Sequence, residues 1–116
     1  HPHVKLYLSA INFDPASLPF NIKLSSPSHF AAELQEENGF YKTLGWPTDT
    51  WAFTEEHIQE KVYLEDYKST IQQEMKITKS ALNKKDWDCL VAIFTPTDQI
   101  QHVFSEYLPL FSATIR

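Results

Sequence analysis

One segment of the chain, "CLVAIFT" at residues 89–95, constrains the fold more than any other. It has no charged residue and no alternation of polar and apolar side chains. Such a run is typical of a strand that is covered on both faces, which occurs mainly in parallel sheets. We interpret Cys89 as a small, buried apolar residue of this strand. The polar residues that follow predict a helix, with Thr97 or Asp98 as its N-cap.

The segments before this run predict a second strand and several helices. Residues 4–13 are rich in β-branched and aromatic side chains, which favours a strand. "SSPSHFAAELQEENG" predicts a short helix that begins after Ser26 as N-cap and ends just before Gly39, with Phe30, Ala31 and Leu34 facing inward.

A long helical segment is predicted from Thr54 to about Lys84, as one helix or as two with a bend near Tyr63. Its mostly apolar stripe at helical spacing, which we interpret as core or interface, consists of Tyr67, Ile71, Met75, Thr78 and Leu82. The order strand, helices, strand, helix predicts an α/β fold.

Composition limits the classes of function. The 116 residues, 42% of them hydrophobic, suffice for a single domain with one core. No apolar run approaches the roughly 20 residues of a membrane helix. The formal charge of −5 and the scattered basic residues exclude nucleic acid as a primary partner. The one cysteine excludes an intrachain disulfide and favours a cytoplasmic location, and the start at His1 without a methionine suggests an excised or processed piece.

Asp98 and His102 are the candidate metal ligands. They follow the predicted strand at its carboxyl end, where parallel α/β proteins bind ligands. Residues four apart lie on one face of a helix, and zinc accepts a carboxylate oxygen together with an imidazole nitrogen. The alternative is that Asp98 only caps the helix and that His102 is a partly buried histidine bonded to a neighbour.

The wider sequence around this pair has a family resemblance. "FTPTDQIQHVF" resembles the signature of the type I phosphodiesterase and nucleotide pyrophosphatase group of the alkaline phosphatase superfamily, in which a strand ends in Thr-Asp-x-x-x-His. "VKLYLSAINFDP", "SSPSHFAAELQEENGFYKTLGWPTDTWAF" and the long helix look like the inserted region that precedes this signature. On this resemblance, residues 4–84 form an insertion or cap-like region, and residues 86–108 form the strand, turn and helix that carry the metal motif.

The resemblance implies a fragment of an alkaline-phosphatase-like fold and a two-metal phosphoesterase. In that group two zinc ions, with manganese as an alternative, support attack of a Thr or Ser nucleophile on a phosphodiester or nucleotide pyrophosphate. Asp98 and His102 would bind one of the two ions. The cap would contact the phosphate-ester substrate through Trp46, Asp49, Thr50 and Trp51, unless the two Trp rings simply pack against the long helix.

This sequence departs from the family pattern in several places. The nucleophile, the first Asp, the "DHG" element and the last His of the group have no counterpart in it. We therefore expect a fragment that is inactive alone. The alternative is a noncatalytic interaction or oligomerisation module in which Asp98 caps a helix and exposed strand edges and apolar helix surface recruit a partner or a second copy, giving a homodimer.

Overall fold

The computed structural model describes residues 6–8, 13–43 and 48–104. Four helices lie in these ranges: α1 (Phe30–Asn38), α2 (Thr50–Thr54), α3 (Glu60–Lys84) and α4 (Thr95–Val103). No strand occurs in the part of the chain that the structure describes, so the predicted α/β fold is wrong. Most of the first predicted strand, residues 4–13, lies outside the described residues.

The apolar segment after α3 is irregular rather than a buried strand. Val91 and Ile93 are 80% and 81% exposed, and Cys89 is also exposed. A strand needs a neighbouring strand to pair its backbone amides and carbonyls, and the described residues provide none. An uncharged run indicates that a segment can be buried, but the residues that bury it must come from other parts of the fold. The predictions of a strand here and of a buried Cys89 are therefore both wrong.

Helix α1 has His29 as its N-cap and ends at a glycine, so the predicted N-cap Ser26 is wrong. Its first residue is Phe30 rather than Pro27, and the Ser25 hydroxyl, not that of Ser26, accepts a hydrogen bond from the Ala31 amide at 3.0 Å. Gly39 ends the helix with φ 80°, which glycine adopts readily. The predicted stop at Gly39 and the burial of Ala31 and Leu34 are thus confirmed, and Phe30 is half-buried.

The long helical segment is divided, but not at the expected place. Helix α2 ends at Thr54, and α3 begins only at Glu60 after a turn in which Glu56 has φ 58°. The amides of His57 and Ile58 donate to the Ala52 carbonyl and hold this turn against α2. Helix α3 ends at Lys84, as predicted. In the described ranges no helix combines the length and the apolar character needed to cross a membrane.

Helix α3 packs against α1 through a more polar face than the stripe predicted. Met75 and Leu82 of that stripe are exposed, whereas Thr70 is buried. Across the contact, Gln73 and Lys76 donate to the Asn38 carbonyl at 3.2 and 3.0 Å. The other three residues of the predicted stripe are half-buried, so the stripe is partly covered and the contact between the two helices is not purely apolar.

The largest fully buried side chain of the described residues, that of Tyr63, joins α2, α3 and α4. Tyr63 of α3 has no exposed surface; its ring stacks on Phe53 of α2 with centroids 4.9 Å apart and lies 6.2 Å from the ring of Phe104, just after α4. Its hydroxyl lies 3.3 Å from the hydroxyl of Thr48, which donates to Gln99 Oε1 at 2.7 Å. Burial also raises the pKa of Tyr63. This aromatic and polar cluster therefore fixes α2 and α4 against one end of α3.

Two substitutions of Tyr63 should separate the contribution of its ring to stability from that of its hydroxyl group. We expect Tyr63→Ala to lower the free energy of unfolding by about 3–5 kcal/mol, because the ring of a large core residue is lost. Tyr63→Phe keeps the ring and should cost about 1 kcal/mol. Urea unfolding followed by far-ultraviolet circular dichroism measures both. Equal losses for the two variants would contradict the packing role of the ring.

Candidate functional site

Asp98 and His102 lie on one face of α4, as their spacing predicts. Asp98 is in the first turn and His102 in the last, and Asp98 Oδ2 lies 3.4 Å from His102 Nε2. Both side chains project into solvent, at 69% exposure for Asp98 and 78% for His102. The pair is therefore accessible to an external group.

The simpler interpretation is wrong about the helix cap and about the burial of His102, although His102 does contact a neighbour, Asp98. Helix α4 begins at Thr95 with Phe94 as N-cap, and no side chain caps it. Thr97 donates its hydroxyl hydrogen to the Phe94 carbonyl at 2.6 Å. Asp98 therefore lies inside the helix rather than at its cap, and His102 is exposed rather than partly buried.

The distance within this pair fits a shared cation. Two atoms bound to one tetrahedral zinc ion at 2.0–2.1 Å lie about 3.3–3.4 Å apart, which matches the observed separation of 3.4 Å. Within residues 6–8, 13–43 and 48–104, no group of three or more His, Cys, Asp or Glu residues could hold a metal ion. The described chain thus provides two ligands, whereas a catalytic zinc usually has three from protein.

A second pair with the same spacing provides an internal comparison. His29 Nε2 lies 3.5 Å from Glu33 Oε1 on α1, also four residues apart. Glu33 additionally contacts Lys84 Nζ at 3.6 Å. The lysine ammonium reduces the local attraction for a second cation, so of these two pairs only Asp98 and His102 present a carboxylate without a neighbouring lysine in an ion pair.

The candidate substrate residues have different environments. Asp49 is the N-cap of α2: its Oδ1 accepts from the Ala52 amide at 3.0 Å, and its Oδ2 accepts from the Tyr7 hydroxyl at 3.0 Å. Thr50 is half-buried at the start of α2. Trp51 is 71% exposed, so the alternative in which its ring packs against the long helix is wrong. Trp46 lies outside the described residues.

Two residues that the sequence did not single out bring this segment to α4. Thr48 and Gln99 are both buried. The Thr48 amide and hydroxyl donate to Gln99 Oε1 at 3.3 and 2.7 Å. Because Thr48 directly precedes Asp49 and Gln99 directly follows Asp98, these bonds join the start of α2 to the helix that carries Asp98 and His102. No sequence pattern marks a Thr and a Gln that are 51 residues apart.

A groove elsewhere contains a carboxylate that the sequence also gave no reason to select. Its volume is about 550 Å³, and it lies between α1, α3 and residues 86–93. Glu74 of α3 lines it, and Glu74 Oε2 is buried without a hydrogen-bond partner among the described residues. Burial raises the pKa of Glu74, and nearby Lys42 opposes this shift. The groove thus combines apolar walls with a carboxylate whose charge is poorly solvated.

Comparisons with models of known protein families, with curated proteins and with solved structures find no match to the chain. The assignment to the phosphodiesterase group therefore stays a prediction that depends on the residues quoted for it.

The buried oxygen of Glu74 should make stability depend on pH in a defined direction. A raised pKa in the folded state means that ionisation of Glu74 opposes folding. This penalty is absent below the unfolded-state pKa near 4.5, develops as pH rises from there to the raised pKa, and is complete above it. We expect Glu74→Gln to be more stable than the wild type at neutral pH and to lose this advantage below pH 4.5.

Urea unfolding across pH for the two proteins tests this sign. Glu65→Gln, an exposed carboxylate on the same helix, is the matched control. A wild type that is more stable than Glu74→Gln at neutral pH would contradict the desolvation of Glu74.

Proposed function

We propose that this chain is a segment of a metal-dependent phosphoesterase that hydrolyses phosphodiesters or nucleotide pyrophosphates. Its contribution would be Asp98 and His102, as two ligands of one ion in a two-metal site. The observation that supports this is their convergence: a carboxylate oxygen and an imidazole nitrogen 3.4 Å apart, both open to solvent. The remaining ligands and the nucleophile would come from residues beyond those described.

The chemistry assigned to these residues is limited to binding. Asp98 provides a charged oxygen, and His102 must present an unprotonated nitrogen to act as a ligand. Bound zinc ions would neutralise charge that develops on the phosphoryl oxygens during hydrolysis. The helical spacing of the two side chains fixes their separation before binding, which reduces the ordering cost of assembling the site.

Trp51 is the best-placed residue of this segment for substrate contact. Its ring is exposed, on the short helix whose start is bonded to α4 through Thr48 and Gln99. An aromatic face in that position can stack on a nucleobase or on an aromatic leaving group. Asp49 is engaged as a helix cap, so its proposed role is to hold α2 in place for Trp51 and Thr50. Trp46 stays a predicted contact.

Zinc titration of the isolated chain tests the metal half-site. We expect one weak zinc site by calorimetry, because two ligands bind less tightly than three or four. His102→Ala and Asp98→Asn should each abolish it. His29→Ala removes the histidine of the other four-residue pair and should leave it unchanged, because Glu33 is already paired with Lys84. Zinc binding that survives His102→Ala, or that disappears with His29→Ala, would remove the support for the site.

Hydrolysis of bis-p-nitrophenyl phosphate tests the reaction itself. The isolated chain with added Zn²⁺ or Mn²⁺ should show no turnover. A longer protein that contains this segment should hydrolyse the substrate, and its His102→Ala variant should lose at least about a hundredfold in rate, since loss of outer-shell metal partners alone costs 10–100-fold. An unchanged rate in that variant would contradict the assignment, and His29→Ala is again the control.

A noncatalytic interaction module is the second candidate function, and a different observation favours it. Val91 and Ile93 are largely exposed within the uncharged segment that follows α3. Exposed apolar surface with unpaired backbone groups promotes association. On this proposal the segment pairs with a second copy, and no metal is needed. The form of the module in which Asp98 caps a helix is excluded by the position of Asp98 within α4.

Sedimentation velocity over a range of concentrations tests this candidate. We expect the wild type to show an increasing mass, and Val91→Asp or Ile93→Asp to remain monomeric because a charge would enter the apolar contact. Since both side chains are exposed, neither variant should unfold. Phe20→Asp, which changes a fully exposed aromatic residue elsewhere, is the control. A wild type that is monomeric throughout would exclude the dimer.

A further inference from the structure

The groove between α1, α3 and residues 86–93 has the size and lining of a small-molecule site. Its volume of about 550 Å³ falls within the range of roughly 300–1,000 Å³ for ligand pockets. The wall around Glu74 is mostly apolar and aromatic. The residues that form this wall include Phe30, Leu34, Tyr41, Ile77, Trp87 and Leu90.

The lysines that line the groove are already engaged with other carboxylates. Lys42 Nζ lies 2.9 and 3.0 Å from the two carboxylate oxygens of Asp66 and donates to Thr70 Oγ1 at 3.0 Å. Lys84 Nζ lies 2.8 Å from Glu37 Oε1 and 3.6 Å from Glu33 Oε2.

The two acidic residues of the groove are less well compensated. Asp86, which also lines the groove, forms no ion pair within the described ranges. Glu74 Oε2 has no hydrogen-bond partner there either, although Lys42 is close enough to affect its pKa. The groove therefore has an excess of negative charge beside its apolar walls.

We propose that this groove binds a small organic cation, with an ammonium group at Glu74 and an aryl or alkyl body against the apolar wall. The ammonium would lie against the Glu74 carboxylate where it lines the groove and would offset its negative charge. The body would cover Leu34, Ile77 and Leu90. This site is separate from Asp98 and His102 and does not depend on the proposed phosphoesterase function.

Other classes of ligand fit these charges less well. An anion would be repelled by Glu74 and Asp86, and a neutral apolar molecule would leave the negative charge of the groove uncompensated. A bare metal ion would need additional ligands, and no suitable group of three exists within residues 6–8, 13–43 and 48–104. An ammonium with an apolar body would pair with the negative charge and pack against the apolar wall.

Calorimetric titration with two probes of matched shape tests this proposal. Phenethylammonium carries the charge, and 2-phenylethanol replaces the ammonium with a hydroxyl. A hydrogen bond to a charged group contributes enough for about a tenfold to hundredfold change in affinity. We expect phenethylammonium to bind more tightly than the alcohol by that factor and to weaken by the same factor in Glu74→Gln. Affinity should also fall as acid protonates Glu74.

The controls separate this site from the rest of the molecule. Glu65→Gln removes an exposed carboxylate of α3 outside the groove and should leave binding unchanged, as should Asp98→Asn. Glu74→Gln replaces a poorly solvated charge with an amide of similar shape, so it should remain folded, and circular dichroism checks this. Equal affinity of the two probes, full binding by folded Glu74→Gln, or no binding at millimolar probe would each overturn the proposal.

Discussion

The buried ring of Tyr63 is the contact on which the arrangement of the helices depends. Its ring packs against those of Phe53 and Phe104, which also contact each other. Its hydroxyl begins a chain of polar contacts through Thr48 to Gln99. Helices α2 and α4 have five and nine residues, too few to be stable in isolation. Their positions therefore come from packing at this cluster. The polar contacts also restrict how the helices are oriented, because a buried hydroxyl or amide group without a hydrogen-bond partner destabilises the fold.

Local signals predicted the ends of helices better than their packing. Gly39 ended α1 where expected because its backbone conformation is a property of the residue itself. The strand at residues 89–95 failed because a strand exists only with a partner, and no short-range pattern contains that partner. The predicted stripe was wrong at Met75 and Leu82, which are exposed. Part of the contact between α1 and α3 consists instead of polar bonds from Gln73 and Lys76 to Asn38, an arrangement between distant residues.

In the candidate site, too, the features set by nearby residues were predictable and those set by distant residues were not. Helical spacing alone was enough to predict that Asp98 and His102 would converge. It could not distinguish them from His29 and Glu33, which have the same spacing. The two pairs differ because Lys84, from another helix, forms an ion pair with Glu33. Likewise, the sequence offered Trp51 as a candidate, but only the structure shows that its ring is exposed.

Asp98 and Glu74 present the same functional group in two contrasting solvent environments. Asp98 is exposed to solvent, so water already stabilises its charge. A cation gains little free energy by replacing that water at a single carboxylate. Tight binding there therefore requires further ligands around the ion. Glu74 has one oxygen removed from water, and this burial disfavours its charged form. A single cation beside the carboxylate can therefore offset a cost that is already present in the folded chain, whereas an ion at the exposed Asp98 needs several ligands.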